Sequence, residues 1–146
     1  MSAEAAKSAF EVIKASMAGE NTGDKGVVVI ATVKGDIHDI GKNIVKLLLQ
    51  NYGYTVYDLG KDVPPEEVLE KVLETKAQIA GLSALMTTTV PAMEETVRLL
   101  KQKAPFCKTV VGGAVLTQEY ANKIGADKYA KDAMEAVRYA ELIIKN

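Results

Sequence analysis

Residues 27–49 read VVVIATVKGDIHDIGKNIVKLLL, and this stretch decides the fold. Its first seven residues are almost all apolar, which is typical of a buried strand. Its last nine place Ile44, Val45, Leu48 and Leu49 at the spacing of one helix face. The polar loop between them carries His38. Ligands of open α/β sheets bind beyond the carboxyl ends of the strands, so this loop is a candidate site.

The same alternation continues along the chain. Further strands are predicted from short apolar runs at residues 55–59, 79–82 and 109–111. Helical patterns cover residues 41–52, a segment opened by Pro64 and Pro65, and residues 91–103, 117–124 and 130–144. Repeated strand-to-helix alternation requires right-handed crossovers and a parallel sheet. We expect an α/β fold with a Rossmann-like (flavodoxin-like) parallel five-stranded sheet, helices on both faces and one preceding N-terminal helix.

Two segments of different character divide the chain. Residues 3–17 carry apolar side chains at spacings of three and four, which predicts an amphipathic helix. Glycine and short polar residues follow up to residue 26 and favour a flexible connection. We therefore expect residues 1–24 to be an N-terminal helix and linker, and residues 25–146 to be one compact domain.

Composition argues against several classes of partner. The 18 basic and 19 acidic side chains nearly balance, so electrostatics gives no support for binding to nucleic acid or an anionic membrane. The single Cys107 excludes an internal disulfide. The sequence has no apolar run of about 18 residues and no N-terminal signal pattern. We expect a cytoplasmic protein with neither nucleic-acid nor membrane partners.

The sequence lacks residues that several binding sites common on this architecture require. A dinucleotide fingerprint needs Gly-x-Gly-x-x-Gly, but Gly35 and Gly41 are six apart with no glycine between them. A Walker loop needs Ser or Thr where Asn43 stands. One histidine and one cysteine cannot complete a structural zinc site. A single histidine is enough only as an axial ligand to a metal held by another ligand set, such as a macrocycle. Asp36, two residues before His38, could hold the other ring nitrogen.

Each of these candidates also has a purely structural interpretation. A lone histidine is more often a solvated or hydrogen-bonded residue than a ligand. Hydroxyl residues between Ser83 and Thr89 suit the cap of the helix that follows them. Gly112 and Gly113 suit an ordinary strand-to-helix turn. The residues alone leave these alternatives open.

Three separated elements occur in a characteristic order. They are Asp36-x-His38-x-x-Gly41, Ser83-x-Leu85 and Gly112-Gly113. Together they resemble the signature of the cobalamin-binding domain family, over roughly residue 25 to the C-terminus. Residues 35–43, GDIHDIGKN, are similar to methyltransferase-associated corrinoid modules, including that of cobalamin-dependent methionine synthase.

The resemblance implies a cobalamin whose own base is displaced from cobalt and replaced by a nitrogen of His38, the metal ligand. Asp36 would accept a hydrogen bond from the other ring nitrogen. Thr89 would continue the relay at a position where methionine synthase usually has serine. These three are the catalytic residues that the resemblance implies.

The resemblance also implies a set of residues around the cofactor. Gly35, Ile37 and Asp39 would contact the corrin from the histidine loop, while Ser83 and Thr87 would bind the base, ribose or phosphate of the tail. The remaining implied cofactor-binding residues are Gly41, Leu85, Gly112, Gly113 and Ala133, of which the glycine pair would line the tail slot and Ala133 would close its far end.

The implied reaction is methyl transfer, with methylcobalamin as the loaded form of the cofactor. The implied partners are methyl-donor and methyl-acceptor methyltransferase proteins or domains and a reductive activator. Residues 1–24 would be a remnant of the helical cap that such proteins carry, and we do not expect this chain alone to catalyse a complete transfer. The alternatives are a cobalamin-binding sensor or storage module and an interaction domain without cofactor.

Overall fold

The computed structural model describes residues 25–144, so the helix and linker expected in residues 1–24 lie outside the described residues. The strands are β1 (Val27–Thr32), β2 (Thr55–Asp58), β3 (Ile79–Ser83), β4 (Lys108–Gly112) and β5 (Lys128–Tyr129). The helices are α1 (Ile40–Asn51), α2 (Pro65–Thr75), α3 (Val90–Lys103), α4 (Gln118–Ile124) and α5 (Ala133–Ile144), with a 3-10 turn at Thr87–Thr89 before α3. All strand pairs are parallel, in the order β2-β1-β3-β4-β5, which confirms the predicted fold.

Both faces of the sheet are buried, as the apolar run of β1 predicts. Val28 and Ile30 pack with residues of α1 and α5 on one face. Val29 and Ala31 pack with residues of α2, α3 and α4 on the other. Because successive strand side chains point to opposite faces, a run that is apolar at every position suits a strand covered on both sides.

The order of the strands sets the position of the site. β1 and β3 are neighbours, but from β1 the chain goes outward to β2, whereas from β3 it goes outward to β4 on the other side. The loops after these two strands therefore diverge and leave a crevice at the carboxyl edge of the sheet. The loop after β1 carries His38, and the loop after β3 carries residues 84–89.

The helices differ from the predicted bounds mainly at α5. It begins at Ala133 and not at residue 130, because Ala130 N–H donates to Val111 O at 2.9 Å and so continues the pairing of β5. α2 opens at Pro65 with Glu66 and Glu67 in its first turn, as predicted. No helix in the described part of the chain is long and apolar enough to cross a membrane.

Candidate functional site

The loop after β1 begins with a tight turn at residues 33–36. Asp36 N–H donates to Val33 O at 3.0 Å, and Gly35, the third residue of the turn, has a φ of 90°. A type II turn requires a positive φ at this position, and glycine adopts it without steric cost. The turn brings the side chain of Asp36 into the interior, where it is fully buried.

The Asp36 carboxylate accepts hydrogen bonds on both oxygens. Oδ1 accepts from His38 N–H at 3.0 Å and lies 2.8 Å from His38 Nδ1. Oδ2 accepts from Leu85 N–H at 2.7 Å, Met86 N–H at 3.2 Å and Thr89 Oγ1 at 2.8 Å. Burial alone would raise the pKa of this carboxyl, but the donors outweigh it and hold the pKa well below its usual range. Asp36 is therefore an ionised acceptor that joins the loops after β1 and β3.

His38 is oriented by this carboxylate and remains accessible. Its side chain is 45% exposed. Because Asp36 is an ionised acceptor, the ring proton lies on Nδ1, which leaves the lone pair on Nε2. A carboxylate that holds one imidazole nitrogen commonly orients the other toward a metal. The described residues contain no group of three or more His, Cys, Asp or Glu side chains that could hold a metal ion.

Thr89 completes the cluster from the end of the 3-10 turn. Its buried hydroxyl has one proton and two acceptors at 2.8 Å, Asp36 Oδ2 and Met86 O. Its methyl carbon lies 3.3 Å from the position that a Cβ on Gly35 would occupy. The threonine therefore keeps the hydroxyl contact that serine would make and adds a methyl group packed beside the histidine loop.

A cavity of about 660 Å³ opens beside His38, between the sheet and helices α1 and α5. Its size suits a small-molecule ligand or a large part of a cofactor. Its inner walls are apolar and include Leu49, Ile79 and Ala140. From the predicted site, the lining includes Ile37, His38, Asp39, Gly41, Ser83, Leu85, Gly112, Gly113 and Ala133. The predicted residues outside the lining are Gly35, Asp36, Thr87 and Thr89.

The glycine pair is required by the protein as well as suited to a ligand. A Cβ on Gly113, whose φ is 140°, would lie 1.8 Å from Ala84 O, a distance that no carbon can adopt without a shift of the backbone. A Cβ on Gly112 would lie 3.2 Å from Ala130 O. The turn and cavity-wall interpretations of this pair are therefore compatible, because the close approach of the β3 and β4 loops shapes the cavity.

The two predicted hydroxyl contacts lie in different surroundings. Ser83 lines the cavity at the end of β3, and its Oγ lies 3.0 Å from Thr32 Oγ1 on the neighbouring strand. A hydroxyl in such a pair keeps capacity for a further hydrogen bond to a ligand. Thr87 opens the 3-10 turn and is exposed. The structure thus brings Ser83, but not Thr87, to the cavity.

Lys42 is a cavity residue that the sequence reasoning did not identify. Its side chain is only 3% exposed, and Nζ lies 2.6 Å from Asp58 Oδ1 at the end of β2. Burial alone would raise the pKa of the Asp58 carboxyl, but Lys42 and the N–H of Gly60 lower it. The signal was available: Lys42, Val45 and Leu49 share one helix face, and a lysine on a buried face calls for a carboxylate partner.

Comparison with known proteins identifies the family. The B12 binding domain model matches residues 26–138. Dimethylamine corrinoid protein 1 of Methanosarcina mazei is 46% identical over 147 residues, which cover 99% of this chain and 68% of that protein. A cobalamin-binding protein from Desulfitobacterium hafniense DCB-2 has a TM-score of 0.80 at 34% identity, covering 92% of this chain and 67% of its own.

A second solved structure also contains a similar chain. One chain of the methanol:cobalamin methyltransferase complex from Methanosarcina barkeri has a TM-score of 0.78 at 40% identity, covering 82% of this chain and 46% of its own. The cavity can hold part of the predicted cofactor, cobalamin, and the exposed side chain of His38 and the glycine pair lie at its lining. The chain belongs to the B12-binding domain family, and the proteins it resembles include dimethylamine and trimethylamine corrinoid proteins.

Proposed function

We propose that this chain is the corrinoid-carrying module of a methyltransferase system. It binds cobalamin with the cofactor's own base displaced, uses His38 as the lower ligand of cobalt and carries a methyl group between partner proteins. The observation that supports this most strongly is the 2.8 Å contact between Asp36 Oδ1 and His38 Nδ1 beside an apolar cavity. A bound corrinoid supplies a cobalt ion that can accept and release a methyl group.

In this proposal the chain's own residues control the bond between His38 and cobalt and the position of the proton on the imidazole ring. Asp36 keeps a proton on His38 Nδ1, so Nε2 offers its lone pair to the metal. The N–H groups of Leu85 and Met86 and the hydroxyl of Thr89 hold the carboxylate in place. Whenever Nε2 were not bound to a metal, it would be free to hold a proton, and the Asp36 carboxylate at 2.8 Å from Nδ1 would stabilise the charged ring. Cobalt ligation by His38 and proton binding at Nε2 would thereby be coupled.

The cavity takes the displaced tail of the cofactor. Ser83 offers a hydroxyl to the tail, Gly112 and Gly113 form a wall that admits close approach, and Ala133 lies at the start of α5 in the lining. The apolar inner walls exclude water from a buried base. Ile37 and Asp39 contact the corrin from the histidine loop, and Thr87, which is exposed near this edge, contacts polar groups outside the cavity.

The relatives suggest the class of methyl donor. They include dimethylamine and trimethylamine corrinoid proteins, which favours a methylamine methyltransferase as the donor partner. A second methyltransferase would take the methyl group, and a reductive activator would restore cofactor that has been oxidised. These partners supply substrate sites, so this chain alone does not complete the transfer.

Hydroxocobalamin binding tests the proposal. The purified chain is mixed with hydroxocobalamin, passed through gel filtration and examined by visible spectroscopy beside His38→Ala. We expect both proteins to retain cofactor but only the unsubstituted chain to show a histidine-ligated spectrum. Identical spectra would contradict ligation by His38, and loss of all colour from the unsubstituted chain would contradict cobalamin binding.

The carrier role needs a second measurement. The loaded chain is reduced and incubated with dimethylamine and a purified dimethylamine methyltransferase, and methylation of the cofactor is followed by its absorption spectrum. Methylation that depends on all components supports the carrier role. Binding without methylation by dimethylamine, monomethylamine or trimethylamine systems would favour the storage or sensor alternative.

A further inference from the structure

The loop after β2 lies against the loop that carries Asp36 and His38. Asp62 Oδ1 accepts from Gly35 N–H at 2.7 Å, and Asp62 N–H donates to Asp36 O at 2.9 Å. Immediately after it, Val63 pairs with Val33 in an isolated parallel bridge. One residue outside the cavity lining therefore contacts the histidine loop on both sides of the Gly35 to Asp36 segment.

These contacts restrain the part of the loop that has the greatest conformational freedom. Gly35 has a φ of 90°, and glycine has more accessible backbone conformations than any other residue. Asp36 N–H already donates to Val33 O, so the contact from Asp62 to Asp36 O fixes the second polar group of that backbone. The side-chain contact to Gly35 N–H fixes the preceding peptide. Together they determine the direction in which Asp36 presents its carboxylate to His38.

The backbone of Asp62 is itself in an uncommon conformation. Its φ is 58°, in the left-handed region, which Asp and Asn tolerate better than other residues with a Cβ. The only other non-glycine residue with positive φ in the described part of the chain is Lys76, at the end of α2 and outside the cavity lining. Replacement of either residue by glycine relieves the strain of its positive φ. Only at residue 62 does the replacement also remove a contact to the histidine loop.

We infer that Asp62 is a positioning residue for the Asp36 and His38 pair. This inference rests on the proposed function, because it concerns ligation of cobalt by His38. Removal of the Asp62 carboxylate would let the Gly35 peptide move and would loosen the orientation that Asp36 gives to His38, the residue that would hold cobalt. The expected loss of affinity corresponds to one charge-assisted hydrogen bond on an exposed loop. Affinity for cobalamin should therefore fall about 5-fold.

A double-mutant cycle with His38 isolates this effect. Dissociation constants for hydroxocobalamin are measured for the unsubstituted chain, Asp62→Gly, His38→Ala and the double variant, with visible spectra recorded at saturation. We expect the roughly 5-fold loss from Asp62→Gly only where His38 is present, accompanied by a smaller histidine-ligated contribution to the spectrum. Asp62→Asn keeps an acceptor oxygen and tolerates the backbone conformation, so it should recover part of both values.

Lys76→Gly is the matched control, since it makes the same type of backbone change away from the site and should leave affinity unchanged. Circular dichroism checks that every variant is folded. Unchanged affinity in Asp62→Gly, or an equal loss with and without His38, would overturn the inference while leaving the proposed function intact. If His38→Ala itself changes neither affinity nor spectrum, the proposed function fails and the inference fails with it.

Discussion

Replacement of Asp36 by asparagine is the sharpest perturbation of the site, because every contact of this carboxylate is with a donor. An asparagine side chain keeps the shape but has only one acceptor oxygen. With its oxygen toward His38, its NH2 group would face the main-chain N–H groups of Leu85 and Met86. With its oxygen toward those two, the NH2 group would face His38 N–H and Nδ1.

The second arrangement leaves fewer donors unpaired, and it has a chemical consequence. The NH2 group can donate to His38 Nδ1 only if the ring proton moves to Nε2, the nitrogen that would bind cobalt. The partly buried N–H of His38 is left without an acceptor, which costs about 1 to 3 kcal/mol, and the loss of charge from the remaining hydrogen bonds adds about 1 kcal/mol. We therefore expect a loss of about 3 kcal/mol in the free energy of unfolding.

Thermal unfolding and cobalamin titration measure the two effects separately. At about 4 °C per kcal/mol for a domain of this size, Tm should fall by about 12 °C. Affinity for hydroxocobalamin should fall about 10- to 100-fold, as is typical when the residue that orients a metal ligand is lost. Asp127→Asn is the control, since Asp127 accepts from Thr109 N–H and lies outside the cavity lining. It should lower stability but not affinity. An Asp36→Asn protein with unchanged affinity and visible spectrum would refute this reasoning.

Three further predictions concern the protein scaffold. Gly113→Ala should lower the free energy of unfolding by at least about 3 kcal/mol, through backbone strain and a clash with the main chain. Gly41→Ala is the control, since nothing lies within 4 Å of the added Cβ, and it should change the free energy of unfolding by no more than about 1 kcal/mol. Equal losses for the two variants in denaturant titrations would contradict this prediction. Lys42→Met should cost about 1 to 3 kcal/mol, because the Asp58 carboxylate loses its buried partner and keeps only the more distant Lys46 and the N–H of Gly60. Adding Asp58→Asn should recover part of the loss on thermal unfolding. Burial raises the pKa of the Cys107 thiol from 9.0 to about 12. The contribution of the protonated thiol to the free energy of unfolding should therefore be fully present below pH 9 and should decline as the pH rises toward 12. Equal slopes of unfolding free energy against pH for Cys107→Ala and the unsubstituted chain would disprove this.

The strands that were predicted correctly are those with a local apolar signal. Residues 27–33 are apolar because both faces of β1 are covered, and the same holds for the runs that became β3 and β4. Lys128–Tyr129 has no such signal, because β5 is a two-residue edge strand defined by its pairing with β4. Edge pairing of this length depends on tertiary contacts, which periodicity does not encode.

The site shows the same division between local and distant information. The spacing of Asp36 and His38 places a carboxylate beside an imidazole within one loop, so their contact could be anticipated from residues alone. Thr89 was reached only through the resemblance, because it lies 53 residues from Asp36 along the chain. Asp62 was missed because its contacts are to main-chain atoms of another loop. The pattern of side chains along the sequence does not indicate such contacts.

Electron paramagnetic resonance of bound cob(II)alamin tests the central claim most directly. His38 is the only histidine in the sequence, so a chain made with nitrogen-15 histidine and without a histidine tag is labelled at one residue. An axial nitrogen-14 ligand splits the cobalt lines into triplets, and an axial nitrogen-15 ligand splits them into doublets. We predict doublets in the labelled protein and triplets in the unlabelled one. Triplets in both would show that another nitrogen, such as that of the cofactor's own base, binds the metal, and would contradict ligation by His38.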